Sequence, residues 1–319
     1  MVMAQSLFLQ LKADAPDCQI DVLAPAWTFG LLERMPEVRR AIAMPLTHGQ
    51  LGLLERVKLG KQLRSEGYSH SIVLPNSWKS ALVPFFANIG TRTGYIGECR
   101  WGLLNDARKL DKSLLTMTVQ RFVALGHAKK AALPTPYLSP RLSVSPEQRQ
   151  SVLDKFAIKL PANILALCPG AEYGEAKRWP SSHFAELAKE KLNQGWQVWL
   201  FGSTKDQAIA SEINLLSSNA CIDFTGRTSL AEAVDLLSVA TAVVSNDSGL
   251  MHVAAALDLP VIALYGSSDP GFTPPLTAKA KIVSLNLPCS PCFQRTCPLG
   301  HTDCLHRIKP GHILELLPS

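Results

Sequence analysis

No apolar stretch in the 319 residues is long enough to cross a bilayer as a helix, so a helical membrane span is not expected. The first residues, MVMAQSLFLQLKADAP, lack the basic start and small-residue cleavage site of a secretory leader, which makes the cytoplasm the expected compartment. Zinc-finger, RNA-recognition and helix-turn-helix spacings are missing, and a nucleic-acid partner is accordingly not expected. Internal repeats and low-complexity tracts are missing too. Charge is sparse at 18% of residues against 47% hydrophobic, the balance of a soluble globular chain rather than a disordered one. What charge there is leans positive, with 32 Lys and Arg against 26 acids and a formal net charge of +6. That excess suits an anionic partner such as a phosphorylated substrate or an acidic lipid surface.

The length suggests two domains. In the first half, helical spacing at 3–12, 28–34, 51–65 and 79–87 alternates with β-branched runs at 19–24, 40–44, 71–75 and 93–96, the pattern of a parallel α/β layer. A passage with Pro134, Pro136 and Pro140 then interrupts all periodicity, placing a boundary between domains 1–145 and 146–319. A second alternation follows, with strands at 164–168, 197–201, 241–245 and 260–266 and helices at 183–194, 205–216, 229–239 and 250–257. The expected fold is α/β, two doubly wound Rossmann-like domains with the ligand in the cleft between them. A doubly wound domain normally opens on its central strand, whereas this chain opens on a helix. The first domain is therefore expected to lack its first strand.

The most informative stretch is SNDSGLMHVAAALDLPVIALYG, residues 245–266, a βαβ unit with Asp247-Ser248-Gly249 at the turn into the helix. Free N–H groups and the positive end of a helix favour phosphate there, and such turns lie at the carboxyl ends of parallel strands. Equally, Asp247 or Ser248 would serve simply as a helix cap. Three more loops follow strands and share that edge: PGAEYGEAKRWP (169–180), FGSTKD (201–206) and FTGRTSL (224–230). Lys177 and Arg178 would neutralise a diphosphate, Lys177 as a point charge and Arg178 through its planar fork. Gly202 and Ser203 add a glycine and a hydroxyl before a helix start. Each loop alone reads as a capped turn; four converging loops with a cation pair point to a nucleotide diphosphate.

These four segments, together with LAPAW, RMPEV, VLPNSWKSALVPFFA, RTGYIGE and LLNDARKLDK in the first half, resemble the ADP-heptose:lipopolysaccharide heptosyltransferases, with the II-type branch nearest. The resemblance covers nearly the whole chain. It implies a GT-B type fold and inverting transfer of L-glycero-D-manno-heptose from ADP-heptose to a heptose on the Kdo-lipid A inner core, at the inner face of the inner membrane. It places the donor on Lys177 and on Asp247, Ser248, Gly249, Met251 and His252, with Lys177 and Asp247 in the catalytic role. A donor acid falls near Glu232, one position out of register. His252 also reads as the polar edge of a packed helix. The family's general base is an Asp in a Gly-Asp turn just ahead of the helix that begins this chain, so the base is expected upstream of Met1, and loss of turnover would leave a donor-binding protein. Arg64, Lys79, Arg92, Arg100 and Arg108 would meet acceptor phosphates and carboxylates, although each alone reads as a solvated charge. No cofactor is required by this chemistry. An epimerase of the same fold would instead need acids and a histidine converging on the sugar, and a two-lobed sugar-binding protein would need an export signal.

Eight cysteines divide into Cys18, Cys99, Cys168 and Cys221, scattered as reduced thiols, and a cluster of Cys289, Cys292, Cys297 and Cys304 flanked by prolines and histidines. The cluster has the spacing of a structural zinc site, with an oxidisable pair or free thiols as the alternatives.

Overall fold

The computed structural model describes residues 1–47 and 49–318. The chain divides into two compact units, one of Met1, residues 3–29 and residues 37–138, the other of Val2, residues 30–36 and everything from Ser139 onward. The division falls within the Pro-rich passage, slightly ahead of the position expected from the sequence.

In chain order the first unit and its junction carry α1 (Gln5–Asp14), β1 (Ile20–Ala24), α2 (Phe29–Leu32), β2 (Val38–Ala43), α3 (Leu53–Gln62), β3 (His70–Val73), α4 (Leu82–Phe86), β4 (Thr91–Tyr95), β5 (Asp106–Arg108) and α5 (Thr118–Gly126). Its strands form two separate parallel sheets, β1-β2 and β3-β4-β5, rather than one, because β1 and β3 share no ladder. Helices pack closely where glycine permits it. A Cβ on Gly60 of α3 would meet the Val83 carbonyl of α4 at 2.7 Å, and one on Gly126 of α5 would meet Leu7 of α1 at 2.6 Å.

The second unit runs α6 (Pro146–Lys155), β6 (Ile164–Cys168), α7 (Ser181–Asn193), β7 (Gln197–Leu200), α8 (Gln207–Leu216), β8 (Ile222–Asp223), α9 (Leu230–Leu237), β9 (Ala242–Asn246), α10 (Gly249–Ala256), β10 (Val261–Leu264), β11 (Ala280–Val283), α11 (Asp303–His306) and α12 (Pro310–Leu316). Its six strands lie in the order β11-β10-β9-β6-β7-β8, all parallel. β6, β9 and β10 are buried along their whole length; the apolar runs of β6 and β10 and the first three residues of β9 suit a sheet with helices on both faces, and β9 ends in buried Ser245 and Asn246. The chain winds outward in one direction from β6 through β7 to β8, then returns to β6's other side with β9. The winding therefore reverses between β6 and β9, where a doubly wound sheet opens a crevice at its carboxyl edge.

Residues 30–36 join this unit through close contacts. The Arg34 guanidinium forms a two-pronged ion pair with Asp235 on α9, its Nε 2.7 Å from Oδ1, with both side chains almost fully buried. A Cβ on Gly30 would lie 2.5 Å from that of Ala231, so only glycine permits the approach. Among the described residues no helix is long and apolar enough to cross a membrane.

Candidate functional site

The loops after β6 and β9 meet at the point of reversal, and Asn246 fastens them. Its side chain is fully buried at the end of β9, accepting from the Trp179 N–H at 3.0 Å and donating to the Pro169 carbonyl at 2.7 Å. Both ends of the β6 loop are thus tied to one amide group. Trp179, itself fully buried, anchors the far end through an indole N–H donated to the Ile308 carbonyl at 2.9 Å. Held this way, a single 3-10 turn over Glu175–Lys177 brings the Lys177 ammonium 2.5 Å from the Asp247 carboxylate.

Ser248 is the N-cap of α10, in extended conformation, yet its side chain accepts no helix N–H. Its hydroxyl lies 3.2 Å from that of Ser245 instead. The capping reading of this turn is therefore set aside. A Cβ on Gly249 would meet nothing within 4 Å, so the start of α10 faces open space. Uncapped amides, the positive end of the helix dipole and an adjacent ammonium make a cradle for an anion.

The remaining residues expected at the site divide by what they touch. Met251 is fully buried, its sulfur 3.5 Å from the Tyr265 hydroxyl, so its side chain packs inside the unit rather than facing a ligand. Burial drives the His252 imidazole down to about 4 against the opposing charge of Asp247, leaving it neutral at pH 7. Arg178 points at Asp206, 3.9 Å away. Ser203 donates its backbone N–H and hydroxyl to the same carboxylate at 2.9 and 2.7 Å, a capping box. Gly202 is required by packing, since a Cβ there would meet that of Asp206 at 2.8 Å. Asp206 thus organises the edge of the site, a role that its place in FGSTKD does not single out. Glu232 closes a capping box with Ser229 on α9 and pairs with Lys155 at 2.5 Å. Burial alone would raise its carboxyl, but those hydrogen bonds outweigh it and hold the group below its ordinary value.

In the first unit the five candidate acceptor cations are turned to internal carbonyls. Arg100 is buried and donates to Pro75 at 2.7 Å and to Tyr95. Arg108 pairs with Asp106 and donates to Ala124 and His127, both at 2.7 Å. Arg92 donates to Leu103 and Ile89 at 2.7 and 2.6 Å. Arg64 donates to Phe86 and Lys79 to Gln50. These bonds clamp loops and occupy most donors of Arg100 and Arg108, whereas Arg64 and Lys79 each engage a single nitrogen.

The zinc expectation at Cys289, Cys292, Cys297 and Cys304 receives no support from the structure. All four are free thiols, and among the described residues no three His, Cys, Asp or Glu side chains are gathered as metal ligands. The surroundings of two of them differ. Backbone N–H groups of Thr302, Leu299, Gly300 and His301 hold the Cys297 thiol below its ordinary value. Cys304 packs against the core instead, and burial, with the neighbouring thiols, pushes it up.

A sheet wound in both directions, with an ammonium, a carboxylate and an uncapped helix start at its reversal, defines an α/β protein of the doubly wound class with a place for an anion at its carboxyl edge. The family described as glycosyltransferase family 9 (heptosyltransferase) matches residues 56–303. The chain is 49% identical to lipopolysaccharide heptosyltransferase 2 of Salmonella typhimurium over 329 aligned positions, covering 100% of this chain and 94% of that one. It is 50% identical to lipooligosaccharide heptosyltransferase 2 of Haemophilus influenzae over 296 positions, covering 89% and 85%. The solved structure of Escherichia coli ADP-heptose LPS heptosyltransferase II superposes with a TM-score of 0.89 at 45% identity, covering 99% of this chain and 93% of that one. The chain belongs to glycosyltransferase family 9 and is a glycosyltransferase with the α/β fold of the GT-B heptosyltransferases.

Proposed function

We propose that this chain transfers a heptosyl group from ADP-heptose to the heptosyl-Kdo-lipid A inner core of lipopolysaccharide. The observation that carries this reading is the Lys177–Asp247 pair beside the uncapped start of α10 at the reversal of the sheet. In it the diphosphate lies against Lys177 and the amides from Gly249 onward, while Asp247 accepts from heptose hydroxyls and keeps Lys177 in place. As the glycosidic bond breaks, negative charge grows on the leaving ADP, and fixed positive groups act most strongly at that moment. Arg178, Gly202, Ser203 and Asp206 shape the adjoining wall. The neutral imidazole of His252 is suited to hydrogen bonding rather than to charge compensation.

Family membership and near full-length identity to proteins named for this reaction support the substrate assignment. The first unit takes the acceptor in this reading, with Arg64 and Lys79 the cations fewest of whose donors are engaged. An acceptor embedded in lipid brings the protein to the inner face of the inner membrane from the cytoplasm, and the net positive charge suits that surface.

The test is a transfer assay of the purified chain with ADP-heptose and heptosyl-Kdo2-lipid A, read by mass spectrometry. A product heavier by one heptose, lost in Lys177→Ala, is the expected result. Release of free heptose, or an epimerised donor with no glycosylated product, would refute the proposal.

A further inference from the structure

The cysteine-rich segment, residues 289–304, has no part in the chemistry so far described, yet it is fastened to the loop that carries Lys177. The Tyr173 hydroxyl donates to the Phe293 carbonyl at 2.6 Å, and the Ala176 N–H donates to the Arg295 carbonyl at 3.0 Å. On its other side the segment is held to the turn after β10, where the Phe293 N–H donates to the Ser267 carbonyl at 2.7 Å and the Ser290 hydroxyl to the Gly266 carbonyl at 2.5 Å. Residues 290–295 therefore bridge the loops that follow β6 and β10, on either side of the loop that carries Asp247.

Two features mark this bridge as more than a surface loop. Phe293 is held at φ +53°, a left-handed conformation unfavourable for an aromatic side chain, with its N–H and carbonyl both engaged. The turn it grips contains Ser267 and Ser268, two hydroxyls more than nine-tenths buried that have no hydrogen-bond partner among the described residues.

The side chain that the bridge delivers is a cation. Arg295 Cζ lies 5.2 Å from the centroid of the Tyr173 ring, and Lys177 Nζ lies 5.1 Å from the same centroid. The two positive groups are thus separated by no more than the sum of those distances. Lys177 is compensated by Asp247, whereas Arg295 meets no carboxylate among the described residues. A guanidinium held on an aromatic ring keeps its planar fork oriented and its donors available.

We propose that Arg295 is a second cation of the donor site, contacting the diphosphate of the nucleotide sugar, and that the cysteine-rich segment exists to present it there. This rests on the donor reading given under Proposed function. With Lys177 and Asp247 forming a neutral pair, Arg295 supplies the net positive charge that a diphosphate requires, and the Tyr173 ring aligns the two cations. Gly174 permits the contact, since a Cβ at that position would lie 2.3 Å from the Arg295 carbonyl oxygen.

The experiment is calorimetry of ADP and of adenosine with the whole chain and with Arg295→Ala and Arg295→Lys, beside the transfer assay. Loss of a charged hydrogen bond predicts that Arg295→Ala weakens ADP binding about tenfold. Adenosine, which carries no phosphate, binds as before, and Arg295→Lys recovers part of the loss. Unchanged ADP affinity in Arg295→Ala overturns the inference, as does parallel weakening of ADP and adenosine, which would report a collapsed loop. Should Arg295→Ala not fold, Arg295→Gln gives the same comparison. A wild-type chain that binds ADP through Arg295 but transfers no heptose would refute the proposed reaction alone, while one that binds no ADP overturns both.

Discussion

The Lys177 ammonium lies 2.5 Å from the Asp247 carboxylate, joining the loop after β6 to the loop after β9 where the winding of the sheet reverses. Neither residue is free to leave the crevice, because Asn246, next to Asp247, fixes both ends of the Lys177 loop. A pair that acts as a unit gives a distinctive mutational signature. Lys177→Ala and Asp247→Asn should each lower kcat by about 10²- to 10³-fold, the magnitude for losing one preorganised charge-stabilising group. The double variant should be little worse than either single one. Strict additivity in steady-state kinetics would show that the two residues act separately.

Gly249 separates stability from function. Its Cβ position is empty space in the protein alone, so Gly249→Ala should leave the folded state unharmed or stabilise it by about 0.4–1 kcal/mol through the unfolded chain. A methyl group at the helix start would nevertheless obstruct a phosphate, and KM for the donor should rise. Thermal denaturation and donor titration on the same sample check this. A variant with unaltered KM would mean that the anion does not approach Gly249.

Arg34 and Asp235 are 201 positions apart and form a buried ion pair inside the second unit. Removing one partner leaves the other charged and desolvated, so Arg34→Ala should cost about 3–5 kcal/mol in denaturant unfolding of that unit. Replacing both at once, as Arg34→Met with Asp235→Leu, should restore most of the loss. A small effect from the single variant would contradict the desolvation argument.

His252 carries a pH dependence of definite sign. Its folded pKa, lowered by burial to about 4, lies below its ordinary value of 6.5. Between those values the unfolded chain binds the proton that the folded chain excludes. The stabilisation is fully present above 6.5 and is lost as pH falls toward 4, by up to about 3 kcal/mol. Unfolding free energy measured across that window should fall more steeply in the wild type than in His252→Gln. Identical slopes would place the His252 imidazole in water.

Much of the second unit is legible in the sequence. Ile164–Cys168, Gln197–Leu200 and Val261–Leu264 are short β-branched or apolar runs bounded by turn residues, and the helices between them carry apolar spacing, with capping boxes ahead of α8 and at the start of α9. The strands that escape the same reading are the short or half-exposed ones. β8 has two residues, β5 has three, and in the outer strand β11 the neighbouring Lys281 and Ile282 are both exposed, which breaks the alternation. α5 is an exception, since Val119 and Val123 stand one helical turn apart in plain view. Lys177 and the 247–249 turn stand out in the sequence as a cation and a polar turn beside a helix start, and the structure brings Lys177 and Asp247 together. Asn246, Tyr173 and Arg295 act through contacts between distant segments, as does Asp206 where it faces Arg178 beyond its local capping box, and no local pattern encodes which loop will lie against which. For the same reason the cations of the first unit are visible as residues, while their use in clamping carbonyls is not.

The central claim is tested most directly by a crystal structure of the chain with ADP. The account predicts diphosphate oxygens at hydrogen-bonding distance, about 2.7–3.2 Å, from Lys177 Nζ and from backbone N–H groups at the start of α10. A diphosphate bound elsewhere, or turned away from both, would contradict it.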